Sequence, residues 1–403
     1  MTKLDINCLA TINFEVNWKS SQAEHTEKYL ARKVNLWRDI FPPGLKEALL
    51  DESNSGQVTK EYPPGQAVPA RSNSDTIKTN LNHFIRKKFL GKPLEPSPGR
   101  FYPRGLLGGV HFFPQDSRPC RIINVNQNEL TVDCSHPLTD YHLTISATVE
   151  NYAPNRSETG GRLSHWAEEI LDTGPGMQAR MSHGPTDFIR SGFSRVDDSD
   201  DAFFYHAPRM VNHIDAQAME FLAREYARHI RPGMKVLDLM SSVHSHLPLE
   251  IDLSVTGLGL NSQEMEANPR LTSHVIHDLN KKPFLHFEDA VFDAVLCSLS
   301  VEYLTDPYQV AREAVRVLAP GGTFCIGFSN RWFPPKVTHL WQELHEFERL
   351  GLVQDLMLDT GAVGDIKTIS IRNWWRPEDD PHTEQTWISD PVYVVTGIKK
   401  HVT

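Results

Sequence analysis

Glu302 and Tyr303 stand side by side, shortly after the apolar run at 290–297. A carboxylate next to a phenol can take a proton from a bound substrate, which is the role of a general base. The same two residues would also suit a tyrosine in the core beside a glutamate on the surface. The sequence therefore makes Glu302 and Tyr303 candidates for catalysis and leaves the packing interpretation open.

Another set of chemically capable side chains follows the apolar run at 323–328. Asn330, Arg331 and Trp332 bring an amide, a cation and an indole ring to this point, and Phe333 adds a second ring. We expect Asn330, Arg331 and Trp332 to face a substrate. Alternatively, the two rings pack on the next helix and Arg331 is a surface charge.

The histidines and cysteines of the sequence do not have the spacing that is typical of metal ligands. His244 and His246 share a short segment, and His206 and His213 lie upstream, but no cysteine or carboxylate stands at ligand spacing. Zinc sites combine several such ligands at short spacings. The five cysteines form no Cys-x-x-Cys pair and their number is odd, which argues against a disulfide framework. The sequence predicts no metal site and a reducing compartment.

The overall charge and hydropathy limit the classes of partner. The formal net charge is −10, whereas general nucleic-acid binding needs a clustered excess of Lys and Arg. The start of the chain lacks a long apolar segment, and no later stretch approaches the roughly 18 apolar residues of a membrane span. We expect a cytoplasmic protein that binds neither nucleic acid nor membrane.

The elements that would position these side chains become visible from Gly233 onward. Short aliphatic runs alternate there with amphipathic stretches, which predicts an α/β fold with a doubly wound sheet. The predicted strands span 234–239, 253–260, 274–277, 290–297, 323–328, 366–371 and 392–398. In such sheets ligands bind beyond the carboxyl ends of the strands, so we expect the chemistry directly after each strand.

Cap residues and breakers define the predicted helices. Asp215 can cap the helix before the first strand, because a carboxylate accepts hydrogen bonds from the free N–H groups of a first turn. Asp306, followed by Pro307 at the first helical position, predicts the start of the helix between the fourth and fifth strands. Another amphipathic helix is predicted near 337–347 and ends at Gly351.

Four short motifs occur at the strand positions of this half. They are Val-Leu-Asp-Leu at 236–239, Val-Ile-His-Asp-Leu-Asn at 275–280, Phe-Asp-Ala-Val at 292–295 and Arg-Val-Leu-Ala-Pro-Gly-Gly at 316–322. In this order they resemble the class I S-adenosylmethionine-dependent methyltransferases, most of all the type 11 group. The resemblance implies a Rossmann-like, seven-stranded methyltransferase sheet, S-adenosyl-L-methionine as cofactor, and a small-molecule or protein methyl acceptor.

The resemblance also implies roles for single residues. Asp238 resembles the acid at the end of the family's first strand, which orders the first loop and the methionine ammonium group. Asp278 resembles the carboxylate that accepts a hydrogen bond from the adenine amino group, and Leu279 would supply a backbone contact. Ser298 would face the methionine part of the cofactor.

Two positions depart from the family pattern. The loop at 240–246 has no glycine, and Ser241 and Ser242 stand where glycines let backbone N–H groups approach the cofactor. We expect the serine hydroxyls to bind the cofactor carboxylate. The second strand ends without the family's ribose-binding acid, and Asn261 is expected to hold the ribose hydroxyls instead. A sheet retained only as a scaffold is the alternative.

A segment before the first helix of this half contains Tyr205 and Arg209. Related enzymes let a lead-in segment at this position cover the cofactor. The resemblance therefore implies that Tyr205 and Arg209 belong to a lid, whereas a segment that only packs against the domain is the alternative.

The amino-terminal half is typical of an antiparallel α+β domain. Strand-like runs at 120–125 and 129–133 flank a turn, and 143–150 alternates as a third strand, which predicts a meander. A charged helix is expected between Trp18 and Asp39.

Two fragments of this half, His-Pro-Leu at 136–138 and the segment 41–49, resemble FKBP-type prolyl isomerases. The resemblance implies an FKBP-like domain with an aromatic pocket for a prolyl amide. Phe41, Phe101 and Tyr102 are the candidates for this pocket, and ordinary core packing of the three rings is the alternative.

We therefore divide the chain into an FKBP-like domain at 1–152, an irregular linker at 153–204 and a methyltransferase-like domain at 205–402. The linker segment 177–180 is expected to touch both domains. The leading hypothesis is an S-adenosylmethionine-dependent methyltransferase whose FKBP-like module binds substrate or a partner. The alternatives are a non-catalytic binding or assembly protein and a prolyl isomerase-type folding helper.

Overall fold

The computed structural model describes residues 4–89, 92–154, 161–171, 186–189 and 192–401. The chain separates into two compact units. The first comprises Met1–Arg190 with Glu343–Gly351, and the second comprises Ser191–Gln342 with Leu352–Thr403. The division into two domains and a linker stays a prediction, and the segment 177–180 lies outside the described residues.

The first unit is built mainly from antiparallel strands. The strands are β1 (Cys8–Lys19), β2 (Ala23–Asn35), β3 (Gln57–Tyr62), β4 (Thr76–Asn80), β5 (Lys88–Phe89), β6 (Lys92–Pro93), β7 (Phe101–Pro103), β8 (Pro119–Val125), β9 (Glu129–Asp133) and β10 (Leu143–Pro154). The helices are α1 (Leu45–Leu50) and α2 (Trp166–Leu171), with 3-10 turns at Glu52–Asn54, Asn73–Asp75, Leu81–His83 and Arg104–Leu106. Hydrogen bonds join β2, β1, β10 and β3 in that order, β4, β9, β8 and β7 in another group, and β5 with β6.

The alternation of apolar and polar residues explains why β1 forms a strand. Ile12, Phe14 and Val16 are buried, whereas the residues between them are partly exposed. Successive side chains of a strand point to opposite faces, so this pattern buries one face only. Phe14 stacks near Trp166, with ring centroids 6.2 Å apart, and both rings belong to the main core of the unit.

Two predictions for this unit were wrong. The segment between Trp18 and Asp39 contains β2 rather than a charged helix, and β2 pairs with β1. Its charged side chains favoured a helix, but pairing with an adjacent strand overrides such local preferences. Strand β10 does not complete the predicted meander, since it pairs with β1 and β3. The predicted hairpin of β8 and β9 is confirmed.

The aromatic residues predicted for a prolyl pocket lie in the core. Phe41 and Phe101 are each 8% exposed and belong to the main core of the first unit. Tyr102 is 4% exposed and belongs to a separate cluster that includes residues of β8 and β9. Core packing therefore describes these three rings, and the FKBP-like character of the unit stays a prediction.

The second unit is an α/β structure. Its strands are β11 (Lys235–Leu239), β12 (Ser254–Gly259), β13 (Ser273–Ile276), β14 (Phe292–Ser298), β15 (Leu318–Phe328), β16 (Val363–Arg372) and β17 (Val392–Lys399). Its helices are α3 (Asp201–Phe204), α4 (Ala216–Ala227), α5 (Ser262–Ala267) and α6 (Pro307–Val317), with a 3-10 turn at Val301–Tyr303. Two more helices, α7 (His339–Glu343) and α8 (Glu346–Asp359), include residues assigned to both units.

The strands of the second unit are hydrogen-bonded in the order β13, β12, β11, β14, β15, β17, β16. The first five are mutually parallel, and β17 runs antiparallel to both β15 and β16. The chain moves outward from β11 to β13 and then returns to the other side of β11 with β14. Such a reversal of strand order opens a crevice at the carboxyl ends of the strands, where ligands bind in α/β sheets.

Two cap residues act as the sequence predicts. Asp215 accepts a hydrogen bond from the backbone N–H of Ala218 at 3.0 Å, and Asp306 accepts one from the N–H of Gln309 at 3.1 Å. These contacts satisfy N–H groups that a helix leaves free at its start.

The helix end predicted at Gly351 was wrong, because α8 continues through this residue. A glycine inside a helix costs only about 1 kcal/mol.

The cysteines of the chain are free thiols and all five are buried. Burial raises the pKa of the Cys297 and Cys325 thiols well above its ordinary value, so both stay protonated at neutral pH. Within the part of the chain that the structure describes, no helix combines the length and the apolar character needed to cross a membrane.

Candidate functional site

A cavity of about 320 Å³ lies in the second unit, where the parallel strands end. Parallel strands bring residues that are far apart in sequence together at their carboxyl ends. All the residues predicted to bind the cofactor line this cavity, namely Asp238, Ser241, Ser242, Asn261, Asp278, Leu279 and Ser298. The predicted lid residues Tyr205 and Arg209 line it as well.

The residues predicted for catalysis and substrate binding divide into two groups. Tyr303, Arg331 and Trp332 line the cavity, whereas Glu302 and Asn330 do not. Glu302 is buried and Asn330 is exposed. Neighbouring residues of a turn point in different directions, so Tyr303 can reach the cavity while Glu302 does not, and Arg331 and Trp332 can reach it while Asn330 does not.

The hydroxyl of Tyr303 positions the loop that follows β15. It accepts a hydrogen bond from the backbone N–H of Phe333 at 2.9 Å, and the two rings stack with centroids 6.0 Å apart. Burial raises the pKa of Tyr303 well above its ordinary value. The phenol therefore stays protonated at neutral pH, which does not suit it to the predicted role of general base.

The carboxylate of Asp238 organises the loop after β11. It is 1% exposed, and its Oδ2 accepts hydrogen bonds from Ser241 Oγ at 2.6 Å and from Ser245 Oγ at 2.7 Å. Burial raises the pKa of Asp238 to about 6, although the two hydroxyl contacts act in the opposite direction. The hydroxyl of Ser242 donates to Glu264 Oε2 at 2.6 Å. The hydroxyls of Ser241 and Ser242, which were expected to bind the cofactor, are thus already hydrogen-bonded to carboxylates of the protein.

The glycines missing from this loop are present on the neighbouring strand. A Cβ added at Gly259 would lie 2.3 Å from the backbone O of Ser241, and one at Gly257 would lie 2.5 Å from Leu271. The loop approaches β12 so closely that the backbone N–H of Ser241 donates to Leu258 O at 2.8 Å. Only a residue without a side chain leaves room for this contact.

Three residues on the cavity wall adopt the left-handed backbone conformation. The φ angles are 54° at Met240, 51° at His246 and 52° at Leu299, and all three residues line the cavity. This conformation is unfavourable for residues with a Cβ, and such strain is found preferentially at functional sites. The strain is located in the loops that follow β11 and β14.

Asp278 faces the cavity with one carboxylate oxygen unused. Its Oδ1 accepts hydrogen bonds from the backbone N–H groups of Asn280 at 2.9 Å and Lys281 at 3.3 Å. Its Oδ2 is buried and has no hydrogen-bond partner among the described residues; Lys281 Nζ lies 3.9 Å away. A buried acceptor without a donor is unfavourable. This oxygen is therefore a position for a hydrogen-bond donor on a ligand.

The amide of Asn261 is occupied by backbone groups on both sides. Its Nδ2 donates to the carbonyl oxygens of Tyr205 at 2.9 Å and His206 at 3.2 Å. Its Oδ1 accepts from the N–H of Glu264 at 3.1 Å. Asn261 thus caps α5 and fixes the lead-in segment, and the acidic group beside it belongs to Glu264.

Glu264 is a cavity residue that the sequence interpretation missed. Its Oε1 accepts from the backbone N–H of Arg209 at 2.7 Å and its Oε2 from Ser242 Oγ, so one carboxylate joins the lead-in segment to the first loop. The spacing Asn-x-x-Glu from 261 to 264 is the signature of a helix capping box. That signature was the available signal, although here the carboxylate turns to the neighbouring loop.

Three histidines of the cavity are neutral. His213, His244 and His246 line it, and burial lowers the pKa of each, that of His246 to about 3. Within the described residues, no group of three or more His, Cys, Asp or Glu side chains is arranged to hold a metal ion.

Comparison with known proteins points to the same part of the chain. Residues 241–326 match the family model described as a methyltransferase domain. The chain is 31% identical over 137 residues to the ubiquinone/menaquinone biosynthesis C-methyltransferase UbiE of Bartonella quintana, covering 33% of this chain and 50% of that protein. It is 33% identical over 82 residues to the 27-O-demethylrifamycin SV methyltransferase of Amycolatopsis mediterranei, covering 19% and 30%.

A solved structure, the S-adenosylmethionine-dependent methyltransferase from Mesorhizobium loti, aligns with 16% identity over 45% of this chain and 98% of that chain, with a TM-score of 0.31. The chain spans half or less of the length of the two curated relatives named above. The family match and the curated relatives support a class I methyltransferase domain in the carboxyl-terminal part of the chain, and the predicted resemblance is confirmed at this level.

Proposed function

We propose that this protein is an S-adenosylmethionine-dependent methyltransferase whose cofactor binds in the cavity of the second unit. The observation that carries the proposal is the buried Oδ2 of Asp278, which lacks a hydrogen-bond donor. The adenine amino group of the cofactor is such a donor. The family match at 241–326 includes Asp278 and residues 241–246 of the loop that Asp238 organises.

The residues of the cavity fit this cofactor. Asp278 would hold the adenine amino group and Asp238 the methionine ammonium group, so that the two carboxylates fix opposite ends of one ligand. Leu279, 4% exposed, supplies an apolar wall, and a cavity of about 320 Å³ is of the size that small-molecule sites have. S-adenosylmethionine supplies an activated methyl group on a sulfonium centre when it is bound.

For the ribose hydroxyls we propose Glu264 in place of Asn261. The amide of Asn261 is used on both sides, whereas each carboxylate oxygen of Glu264 accepts one hydrogen bond. A carboxylate has about four lone-pair sites, so Glu264 retains capacity for a hydroxyl donor.

The methyl acceptor is proposed to bind beside Arg331 and Trp332, which line the cavity. Holding donor and acceptor in line supplies much of the acceleration in such a transfer. An acceptor that is already nucleophilic therefore reacts without a general base, and the proposal assigns no such role to Glu302 or Tyr303. The acceptor itself is a small molecule or a protein side chain.

The first unit is proposed to bind the substrate or a partner protein, as the FKBP-like prediction implies. Its support comes from the β8–β9 hairpin and from helix α1, which lie where the resemblance places a hairpin and a helix. This part of the proposal concerns binding, because the aromatic rings considered for an isomerase pocket are packed in the core.

Calorimetry on the full chain with S-adenosylmethionine and S-adenosylhomocysteine tests the proposal. We expect one binding site, and Asp278→Asn should weaken binding roughly 10- to 100-fold, because a hydrogen bond to a charged group contributes about 1.5–3 kcal/mol. Asp359→Asn, a change outside the cavity, is the matched control and should leave affinity unchanged. Absence of heat at high protein concentration would rule out the proposed function.

A further inference from the structure

Arg209 lines the cavity, and its guanidinium group has no carboxylate partner among the residues that the structure describes. Its Nη2 donates to the backbone O of Phe204 at 2.9 Å. Its central carbon lies 4.6 Å from the ring centroid of Phe204, 5.6 Å from that of Tyr205 and 5.2 Å from that of Phe333. Its Nη1 is buried and has no hydrogen-bond partner among the residues that the structure describes.

Two buried arginines of the second unit have acidic partners. Arg195 pairs with Asp201 at 2.9 Å, and Arg376 pairs with Asp390 at 2.6 Å. Removing a cation from water is unfavourable unless an anion or a full set of acceptors replaces the water. Aromatic faces compensate for part of this cost only. The Nη1 atom of Arg209 thus lacks a hydrogen-bond acceptor among the described residues.

Neighbouring groups of the cavity do not supply that acceptor. Glu264 receives the backbone N–H of Arg209 rather than its side chain. His213, His244 and His246 are neutral because burial lowers the pKa of each, so they offer no negative charge to the guanidinium group, and none of them accepts a hydrogen bond from Nη1. The other arginine on the wall, Arg331, lies 3.4 Å from Asp390.

We propose that Arg209 recognises an anionic group, a carboxylate or a phosphate, on the ligand that occupies the cavity. The inference rests on the proposed function, since it concerns the ligands of a methyltransferase. The anion has two sources, the methionine carboxylate of the methyl donor or an acidic group on the acceptor. In either case the donor to the anion is Nη1, which has no hydrogen-bond partner among the described residues.

Calorimetry with three probes separates the two sources. S-adenosylhomocysteine carries the amino acid carboxylate, 5′-methylthioadenosine has the same nucleoside without it, and inorganic phosphate is a free anion. The wild-type full chain is compared with Arg209→Met, which keeps an unbranched apolar side chain. Arg224→Met is the matched control, because Arg224 is an exposed arginine on α4 outside the cavity.

If Arg209 binds the donor carboxylate, Arg209→Met weakens S-adenosylhomocysteine at least about tenfold and leaves methylthioadenosine unchanged. If it binds an acidic acceptor, both nucleosides keep their affinity, and phosphate binds the wild-type protein saturated with S-adenosylhomocysteine but not the variant. Equal weakening of both nucleosides, or no change with any probe, would overturn the inference.

The proposed function can fail separately. If neither nucleoside binds the wild-type chain, the methyltransferase proposal is contradicted. Phosphate binding that is lost in Arg209→Met and kept in Arg224→Met would then still support an anion site at Arg209, and its absence would contradict that site as well.

Discussion

At the scale of single residues, the buried carboxyl group of Asp238 should make cofactor binding dependent on pH. Its pKa is raised to about 6, and a ligand that presents an ammonium group binds the ionised form. Affinity for S-adenosylmethionine should therefore rise with pH up to about 6, by at most about tenfold per pH unit, and then level off. Calorimetry between pH 5 and 7.5 measures this slope.

Asp238→Asn is the control for this pH dependence. The amide does not titrate, so the variant should bind weakly at all pH values and lose most of the slope. A wild-type affinity that stays constant below pH 6, or a slope that survives unchanged in Asp238→Asn, would contradict the role assigned to this carboxylate.

The sequence led to some site residues and not to others for a physical reason. Asp238 and Asp278 each follow a predicted strand, and the carboxyl ends of parallel strands meet. Glu264 is the third residue of helix α5 rather than the end of a strand. Its position in the cavity depends on contacts with Ser242 and Arg209. Hydrogen bonds between loops of this kind leave no periodic pattern in the sequence.

At the scale of elements, the packing of the first loop against β12 depends on Gly259. In Gly259→Ala the new Cβ would lie 2.3 Å from the backbone O of Ser241, so the loop must move. We expect a loss of roughly 1–3 kcal/mol in the free energy of unfolding, together with weaker cofactor binding. Urea denaturation and calorimetry measure the two effects.

Gly364→Ala is the matched control, because it also replaces a strand glycine of the second unit. There the new Cβ would meet only the flexible side chain of Lys400, at 3.2 Å. Its unfolding midpoint and cofactor affinity should stay close to those of the wild type. If Gly259→Ala behaved in the same way, the close approach of loop and strand would not be important for the site.

Strands of the second unit were predictable because buried parallel strands are short aliphatic runs between turn residues. Strand β15 shows the limit of this rule, since it begins at Leu318 rather than at Thr323 and includes the Pro-Gly-Gly turn signal. Strand β2 was not predictable from its many charged residues. Its conformation is fixed by pairing with β1, which a local pattern does not contain.

At the scale of the whole molecule, the first unit was the harder one to predict. Its sheet depends on pairs that are distant in sequence, such as Cys8 with Pro154. The second unit instead alternates strands with connections that return to a neighbouring strand, and this order is visible along the chain. The family motifs also occur in the second unit, where they identify individual strand ends.

The full chain should not accelerate a refolding reaction that is limited by prolyl isomerisation. An isomerase pocket needs accessible aromatic rings, whereas Phe41, Phe101 and Tyr102 are all buried. The measurement is the refolding rate of a proline-limited substrate protein with micromolar chain added. A clear acceleration would favour the folding-helper alternative and contradict the assignment of these three rings to core packing alone.

The most direct test of the central claim is a crystal structure of the full chain grown with S-adenosylhomocysteine. We predict density for the nucleoside in the cavity of the second unit, with the adenine amino nitrogen about 3 Å from Asp278 Oδ2 and the amino group of the homocysteine part near Asp238. A nucleoside bound elsewhere, or bound in the cavity without a contact to Asp278, would contradict the account.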